Sequence, residues 1–364
     1  MAGEIILTIA YGLQIQEHDD PYVAISQEAV ESLNAAVVPG AFFVDFLPVL
    51  KHVPEWVPGA GFKRKARAWR ALALATVNTP FEGAVRAIDS GDFTPSFVSY
   101  SWENLDASGD LEEEKEVIKG TAAAMYSAGL DTMVSIGASC ILGFLSNPEA
   151  LRKARQEIDR VVGTERLPNF GDRDSLPYII AVTKEALRWK DVGPLAIPHF
   201  IDVEDEYKGY RIPAGSIVLP NAWAILHNEA AYPDPFTFNP DRFMKDGKLN
   251  EDIKDPASAA FGFGRRICPG RYMGFSAVWI TIASLVAAFD IGKAVDADGN
   301  VIEPSYEYTT TGLIQWVEFL YPLSMSLIEV RPVSSAPLPF ECSIKPRSPQ
   351  AEILIRETLD AEYF

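Results

Sequence analysis

The residues with the clearest chemical potential lie in the stretch FGFGRRICPGR, which surrounds Cys268 with glycines and arginines. Glycines let the backbone approach a flat ligand closely, and backbone N–H groups turned towards a sulfur tune a metal bound to it. Arginine side chains pair well with carboxylates. An isolated cysteine is more often an inert core residue, but the whole string favours a loop that binds a metal through its thiolate.

This string resembles the heme-binding loop of the cytochrome P450 family, whose pattern is F-x-x-G-x-R-x-C-x-G. That pattern is filled by Phe261, Gly264, Arg266, Cys268 and Gly270. The resemblance implies that Cys268 is the axial ligand of the iron of heme b (iron protoporphyrin IX) and that Arg266 pairs with a heme propionate. It implies a monooxygenase with O₂ as co-substrate, because a thiolate ligand favours O–O cleavage.

A second motif of the family places a glutamate and an arginine three residues apart, here Glu185 and Arg188. Residues at this spacing share one helix face, and an exposed pair would contribute only about 0.2–0.5 kcal/mol. The resemblance implies instead a buried pair joined by Arg242. Breaking such a triad leaves a buried charge uncompensated and costs about 3–5 kcal/mol, so we expect a structural role.

A third motif, Gly129, Asp131 and Thr132, lies in an apolar run from about residue 121 to 145. A small-residue packing spot with a helix-bending threonine is one interpretation. The resemblance implies the long helix over the distal heme face, where Gly129 leaves room for O₂, Thr132 hydrogen-bonds it and Asp131 supplies protons. Met133 follows where the family often has Thr or Ser, which predicts a smaller polar network.

His199 follows Ile197 and Pro198 at a place where the family often carries Arg or His against a propionate. An ordinary turn histidine is the alternative. By the same resemblance, an apolar substrate pocket is lined by Val192, Leu195, Ile197, Thr311 and Leu313, which implies a hydrophobic organic substrate. Asp191 stands where relatives often have proline. Segments 155–159, 167–170 and 172–178 resemble fungal microsomal members, nearest to the O-methylsterigmatocystin oxidoreductase-like group.

Composition excludes several other classes of protein. The 364 residues carry a formal net charge of −18, whereas nucleic-acid-binding proteins present basic faces. Three scattered cysteines suit neither a disulfide framework nor a zinc site. The chain shows no flavin or nicotinamide fingerprint. The resemblance therefore implies electrons from a separate NADPH-cytochrome P450 reductase, docked near Lys190, Arg265 and Arg271, so that NADPH acts only indirectly.

The patterns predict a mainly α protein with small β-sheets, in one domain over 1–364. We expect helices over 1–35, 64–90, 148–162 and 270–289, a solvated acidic connection over 104–119, and a hairpin over 200–220 that turns at Lys208–Gly209. The aromatic, proline-rich stretch 37–62 precedes a basic cluster from Lys63 to Arg70. It suits either core packing or peripheral membrane contact.

No run of about 18 uninterrupted apolar residues occurs, so we expect no transmembrane helix. The resemblance implies the cytoplasmic face of the endoplasmic reticulum membrane. The chain lacks the family's usual anchor and opens about 140 residues into the family pattern, so a cytoplasmic or peripheral location is also open.

Two features leave alternatives open. The start indicates an incomplete gene model or a truncated paralogue. Residues 315–336 interrupt the place where a tight turn should lead to the final hairpin, and they are either a hydrophobic insertion or, as we favour, a retained intron translated in frame. A non-catalytic heme-protein relic and a peroxide-driven oxygenase are therefore the alternatives to a monooxygenase.

Overall fold

The computed structural model describes residues 2–14, 16, 20–36, 40–106, 109–309 and 335–360. Within these ranges the protein is mainly helical, with five two-stranded antiparallel sheets. This is the predicted fold class. The chain forms two compact units, Met1–Val134 with Thr310–Val333, and Ser135–Thr309 with Ser334–Phe364. The single domain expected over 1–364 stays a prediction, because units drawn from contacts need not coincide with folding domains.

The first unit begins with two helices rather than the single helical region expected over 1–35. Helix α1 spans Ala2–Tyr11 and α2 spans Pro21–Ala36. Gly12 follows α1 with φ +69°, a left-handed conformation that ends a helix readily. Asp20 then starts α2, because its carboxylate accepts the N–H groups of Tyr22 and Val23 at 2.8 and 3.0 Å.

The remaining helices of the first unit are α3 (Gly61–Ser90), close to the predicted 64–90, and α4 (Phe97–Glu103). Two short 3₁₀ helices, Phe43–Asp45 and Pro48–His52, lie before α3. Lys63 of α3 donates to the carbonyls of Lys51 and Val53 at 3.0 and 2.8 Å. Lys63, one member of the basic cluster, therefore holds the preceding loop against α3.

Helix α5 (Leu111–Ser146) is longer than the apolar run suggested. The acidic segment expected as a solvated connection is its first turns, so that prediction was wrong from residue 111 onward. Asp110 accepts the N–H groups of Glu112 and Glu113 at 3.1 and 3.2 Å. Acidic side chains at a helix N-terminus also favour the helix dipole, so the charges that suggested a loop instead stabilise a helix.

Three helices build the core of the second unit: α6 (Pro148–Val161), α7 (Pro177–Trp189) and α10 (Arg271–Ala288). The predicted limits of α6 and α10 agree within a residue. Buried Glu157 of α6 accepts the N–H groups of Tyr178 and Ile179 and so caps α7. Side chains with no exposed surface fill the space between these helices: Ile158, Ile179, Val182, Trp279, Ile282 and Val286.

The predicted hairpin is present as β2 (Asp205–Tyr207) and β3 (Tyr210–Ile212). Lys208 and Gly209 form its turn with φ +52° and +83°, the positive values that a two-residue hairpin turn requires. Around it, β1 (His199–Phe200) pairs with β4 (Ile217–Val218). The other pairs are β5 (Met244–Lys245) with β6 (Lys248–Leu249), β7 (Phe289–Lys293) with β10 (Cys342–Pro346), and β8 (Tyr308–Thr309) with β9 (Ala336–Pro337).

Shorter elements complete the second unit: α8 (Ala222–Leu226), α9 (Ala257–Ala260) and α11 (Pro349–Asp360). Of the interrupting segment 315–336, only its last two residues belong to the described part of the chain, and Ala336 lies in β9. The interpretation of 315–334 as an insertion or a retained intron falls outside the described residues.

Two described helices, α5 and α10, are long and apolar enough to cross a membrane by length and composition. The prediction from uninterrupted apolar runs had excluded such helices. Their apolar windows are 50% and 44% buried within the protein, as core helices of globular proteins also are.

Two glycines of α5 in the second unit allow a matched test of packing. A Cβ on Gly143 would lie 2.6 Å from the Phe238 ring, whereas one on Gly137 meets nothing within 4 Å. We expect Gly143→Ala to destabilise the protein by about 1–3 kcal/mol through overpacking. Gly137→Ala should be neutral or stabilise it by up to about 1 kcal/mol. Midpoints of urea unfolding measure both, and equal midpoints would contradict the packing.

Candidate functional site

The loop around Cys268 is closed by its own backbone. The Cys268 N–H donates to the Phe261 carbonyl at 2.8 Å. Gly262 and Gly264 adopt φ +78° and +60° inside this loop, which side chains rarely tolerate. A Cβ on Gly264 would meet no neighbour within 4 Å, so this glycine is needed for backbone conformation and not for space.

The loop places the Cys268 sulfur at the N-terminus of α10. Gly270 directly precedes that helix, and a Cβ there would lie 3.8 Å from the Cys268 Sγ. The Arg271 backbone N–H and guanidinium lie 3.4 and 3.3 Å from the Cys268 carbonyl and donate to it. A helix N-terminus favours the negative charge of a thiolate. Cys268 is half-buried and its sulfur forms no disulfide.

The arginines of the loop remain available to an anion. Arg265 and Arg266 are both exposed, and neither forms an ion pair with any residue that the structure describes. Phe261 packs against the apolar core of the second unit. A half-buried thiol at a helix N-terminus, glycines on its flank and an unpaired arginine nearby together fit a thiolate-ligated macrocycle that carries carboxylates, so the residues present suit heme.

The second unit also holds His199 and three of the residues expected to line a substrate pocket. His199 lies in β1, paired with Val218, and is half-buried. In the loop before β1, Val192 packs against the core, Leu195 is half-buried and Ile197 is 74% exposed. The contacts expected of Thr311 and Leu313 fall outside the described residues.

The motif of α5 lies in the first unit. Thr132 Oγ1 donates to the Ala128 carbonyl at 2.8 Å, one turn earlier. Gly129 faces α1, because a Cβ there would lie 2.7 Å from Cδ1 of buried Ile6. This close approach of α1 and α5 is itself a reason for glycine. The expected roles of Gly129, Asp131 and Thr132 in oxygen chemistry stay predictions.

The structure brings Glu185, Arg188 and Arg242 together in the second unit. Arg188 donates two hydrogen bonds to the Glu185 carboxylate, at 2.7 and 2.8 Å, and Arg242 Nε lies 3.2 Å from it. The Asn239 N–H donates to the same carboxylate at 2.8 Å. The side chains of Glu185 and Arg188 are fully buried and that of Arg242 is 4% exposed, so this is a buried and well-satisfied ion cluster.

The Lys190 side chain packs against aromatic rings instead of extending into solvent. Its Nζ sits 4.9 Å from the centre of the Tyr308 ring and 5.5 Å from that of Trp189, a cation–π geometry. Burial lowers the pKa of Lys190. Of the three cations expected near a reductase, Arg265 is exposed, whereas Lys190 packs on aromatic rings and half-buried Arg271 contacts the Cys268 carbonyl and the Tyr272 ring.

Asp191 is a feature whose burial the sequence did not reveal. It lies two residues after the end of α7, is 4% exposed, and its buried Oδ2 has no hydrogen-bond donor among the described residues. Burial raises the pKa of this carboxyl to about 7, against the smaller lowering effects of a hydrogen bond from its own backbone N–H and of the charges of Lys190 and Arg188. The departure from the family's proline was the one signal available beforehand.

Comparison with known proteins identifies the fold family. Residues 1–305 match the family model described as Cytochrome P450. The chain is 46% identical to cytochrome P450 monooxygenase 98 of Postia placenta over 355 residues. The aligned region covers 97% of this chain and 64% of that protein. Cytochrome P450 monooxygenase CLM2 of Gibberella zeae is 41% identical over 98% of this chain and 64% of its own length.

Another relative, the tryptamine 4-monooxygenase of Psilocybe cyanescens, is 42% identical over 84% of this chain and 60% of its own length. The chain thus spans about 60–64% of the length of these three relatives. Placement in the O-methylsterigmatocystin oxidoreductase-like group stays a prediction.

The buried cluster predicts a strong effect of Glu185→Ala. Removing this carboxylate leaves Arg188 and Arg242 as buried charges without a counterion, which costs about 3–5 kcal/mol. We expect a matching loss of soluble yield and a lower urea midpoint. Glu149→Ala is the control, because Glu149 and Arg152 form an i,i+3 pair on α6 with side chains 53% and 54% exposed. That change should leave the midpoint unaltered. Equal effects would contradict the structural role.

Proposed function

The chain belongs to the cytochrome P450 family, and we propose that it is a heme-thiolate monooxygenase acting on a hydrophobic organic substrate. One observation carries the proposal: the Cys268 loop has its sulfur at the N-terminus of α10, and exposed Arg266, two positions earlier, forms no ion pair among the described residues. Heme, when bound, would activate O₂ so that one oxygen atom enters a C–H bond and the other leaves as water.

The chain's own residues hold and orient this group. Cys268 would supply the thiolate that holds the heme iron, and Arg266 and His199 would bind the propionates. Arg271 restrains the Cys268 carbonyl, which fixes the backbone that carries the sulfur. Because α10 starts beside Cys268, its N-terminal dipole would stabilise the ligand as a thiolate.

Asp131 and Thr132 would move protons towards the O₂ co-substrate. The Thr132 hydroxyl, which now donates to the Ala128 carbonyl, would turn to donate to O₂, and Asp131 would relay the protons that the reaction consumes. General acid–base assistance of this kind contributes about 10²–10⁴-fold. Val192, Leu195 and Ile197 would line the substrate pocket. The name of one relative, tryptamine 4-monooxygenase, shows that an aromatic amine is one substrate accepted among similar proteins.

Electrons would come from a separate NADPH-cytochrome P450 reductase. Arg265 is exposed and lies on the Cys268 loop, which places a cation close to the group to be reduced. An acidic partner surface can be steered to such a local patch even when the whole chain is acidic.

Membrane contact would use the loop before α3. Phe43, Val49 and Trp56 are 78%, 69% and 82% exposed, a concentration of apolar side chains unusual in solvent. Arg67 of α3 pairs with Glu55 at 2.7 Å, and Lys63 holds the same loop, so these side chains project from a fastened segment. We propose a peripheral contact with the cytoplasmic face of the endoplasmic reticulum membrane.

Substitution of Cys268 tests the proposed function directly. The full chain, reconstituted with heme, should give a reduced CO complex that absorbs at the position typical of a thiolate ligand. Cys268→Ala should abolish that band. Cys342→Ala should keep it, since Cys342 is a half-buried cysteine of β10. Failure to take up heme, or an unchanged band in Cys268→Ala, would overturn the proposal.

Thr132 has a matched control on its own helix. Thr121 also donates from Oγ1 to the carbonyl one turn earlier, at 2.7 Å. With a reductase supplied, Thr132→Ala should keep the thiolate-type band but release more peroxide per NADPH consumed, because protons reach O₂ less efficiently. Thr121→Ala should couple normally. Equal coupling in both variants would leave Thr132 a packing residue of α5.

Membrane contact is tested with vesicles of phosphatidylcholine and phosphatidylserine. The double variant Phe43→Ser, Trp56→Ser should weaken co-sedimentation at least about tenfold, since burying one such side chain contributes roughly 1.5–3 kcal/mol. Tyr100→Ser is the control, because Tyr100 is 71% exposed but lies on α4. A loss that is equal in both proteins would argue against this loop.

A further inference from the structure

Asp191 is a buried acid that the fold leaves unsatisfied. Its side chain is 4% exposed, and Oδ2 has no donor among the described residues. A buried polar atom without a partner costs about 1–3 kcal/mol, and more when it is charged. Such atoms are uncommon in native proteins, and an ordered water, an ion or a bound ligand is among the groups that complete them.

The cations near Asp191 do not complete it. Arg188 is committed to Glu185 and to the Leu226 carbonyl. Lys190 lies over the rings of Tyr308 and Trp189 and forms no ion pair within 4 Å among the described residues. Lys190 and Asp191 are therefore adjacent in sequence but form no ion pair. The Asp191 carboxylate keeps an acceptor oxygen without a donor among the described residues.

The position of this acceptor links it to substrate. Asp191 is followed at once by Val192, the first residue of the loop proposed to line the pocket. That loop is fixed at both sides: the Val192 carbonyl accepts the Ser335 N–H at 2.9 Å, and the Pro194 carbonyl accepts the Trp223 N–H at 2.9 Å. A carboxyl at the base of a restrained loop is held in place, as a recognition group must be.

We propose that Asp191 is a specificity-determining residue, whose free carboxylate oxygen accepts a hydrogen bond from a protonated amine on the substrate. This inference rests on the proposed function. Pockets of this kind are mainly apolar with a few placed polar groups, so the substrate class is a hydrophobic body that carries a basic nitrogen. Burial raises the pKa of this carboxyl to about 7, because the smaller lowering effects of its own backbone N–H, Lys190 and Arg188 do not offset its desolvation.

The test compares matched amine and alcohol probes on the heme-loaded full chain. Binding of 2-phenylethylamine and 2-phenylethanol, and of 4-phenylbutylamine and 4-phenylbutanol, is measured by calorimetry, which needs no turnover. We expect the amine of each pair to bind roughly ten- to a hundredfold more tightly, the strength of a charge-assisted hydrogen bond. Asp191→Asn should remove that preference and leave alcohol affinity unchanged, and Asp191→Glu should restore part of it.

Asp202→Asn is the matched control. Asp202 lies in the same unit, only eleven positions further along the chain, but is exposed. It should retain the full preference. A protein that shows the thiolate-type band of Cys268 but binds amine and alcohol alike overturns this inference alone, as does a preference that survives Asp191→Asn. A protein without that band overturns the proposed function and this inference with it.

Discussion

The Glu185 carboxylate is the constraint on which the second unit depends. It is fully buried at the C-terminal half of α7, and it receives Arg188 of the same helix, Arg242 and the Asn239 backbone from a later segment. A buried carboxylate is expensive unless every lone pair is used. Here one anion fixes the segment around Arg242 against the C-terminal end of α7. Everything expected to meet substrate between Asp191 and His199 starts from that end.

Sequence analysis predicted those elements that are determined by residues close together in the chain. Helices α6 and α10 could be delimited because a proline at the first position or a glycine before it marks each start. The β2–β3 hairpin followed from Lys208 and Gly209 between alternating residues. The Cys268 loop and the Glu185–Arg188 spacing were readable because each is a short pattern with one evident chemical use.

Predictions failed where the same residue type occurs in two different structural contexts. The acidic segment before α5 looked like a solvated connection, yet Asp110 caps the helix and the following glutamates favour its dipole. Lys190 looked like a docking cation, but its neighbours in space are the rings of Tyr308 and Trp189. The acidic segment was misinterpreted although its cap is local, whereas Lys190 meets Tyr308, a residue that the local pattern does not contain.

Glu185 and Asp191 lie six residues apart and differ in how far the described residues satisfy their carboxylates. Both are buried. Glu185 has two arginines and a backbone N–H, so it has no capacity left for a ligand. Asp191 has Arg188 nearby, but that guanidinium is already used, and Lys190 is held over aromatic rings. Because Arg188 donates its hydrogen bonds to Glu185, it does not neutralise Asp191. The Asp191 carboxylate therefore keeps an oxygen without a donor among the described residues. An unsatisfied acid at the start of the loop between α7 and β1 is thus a consequence of the same ion cluster that builds the core.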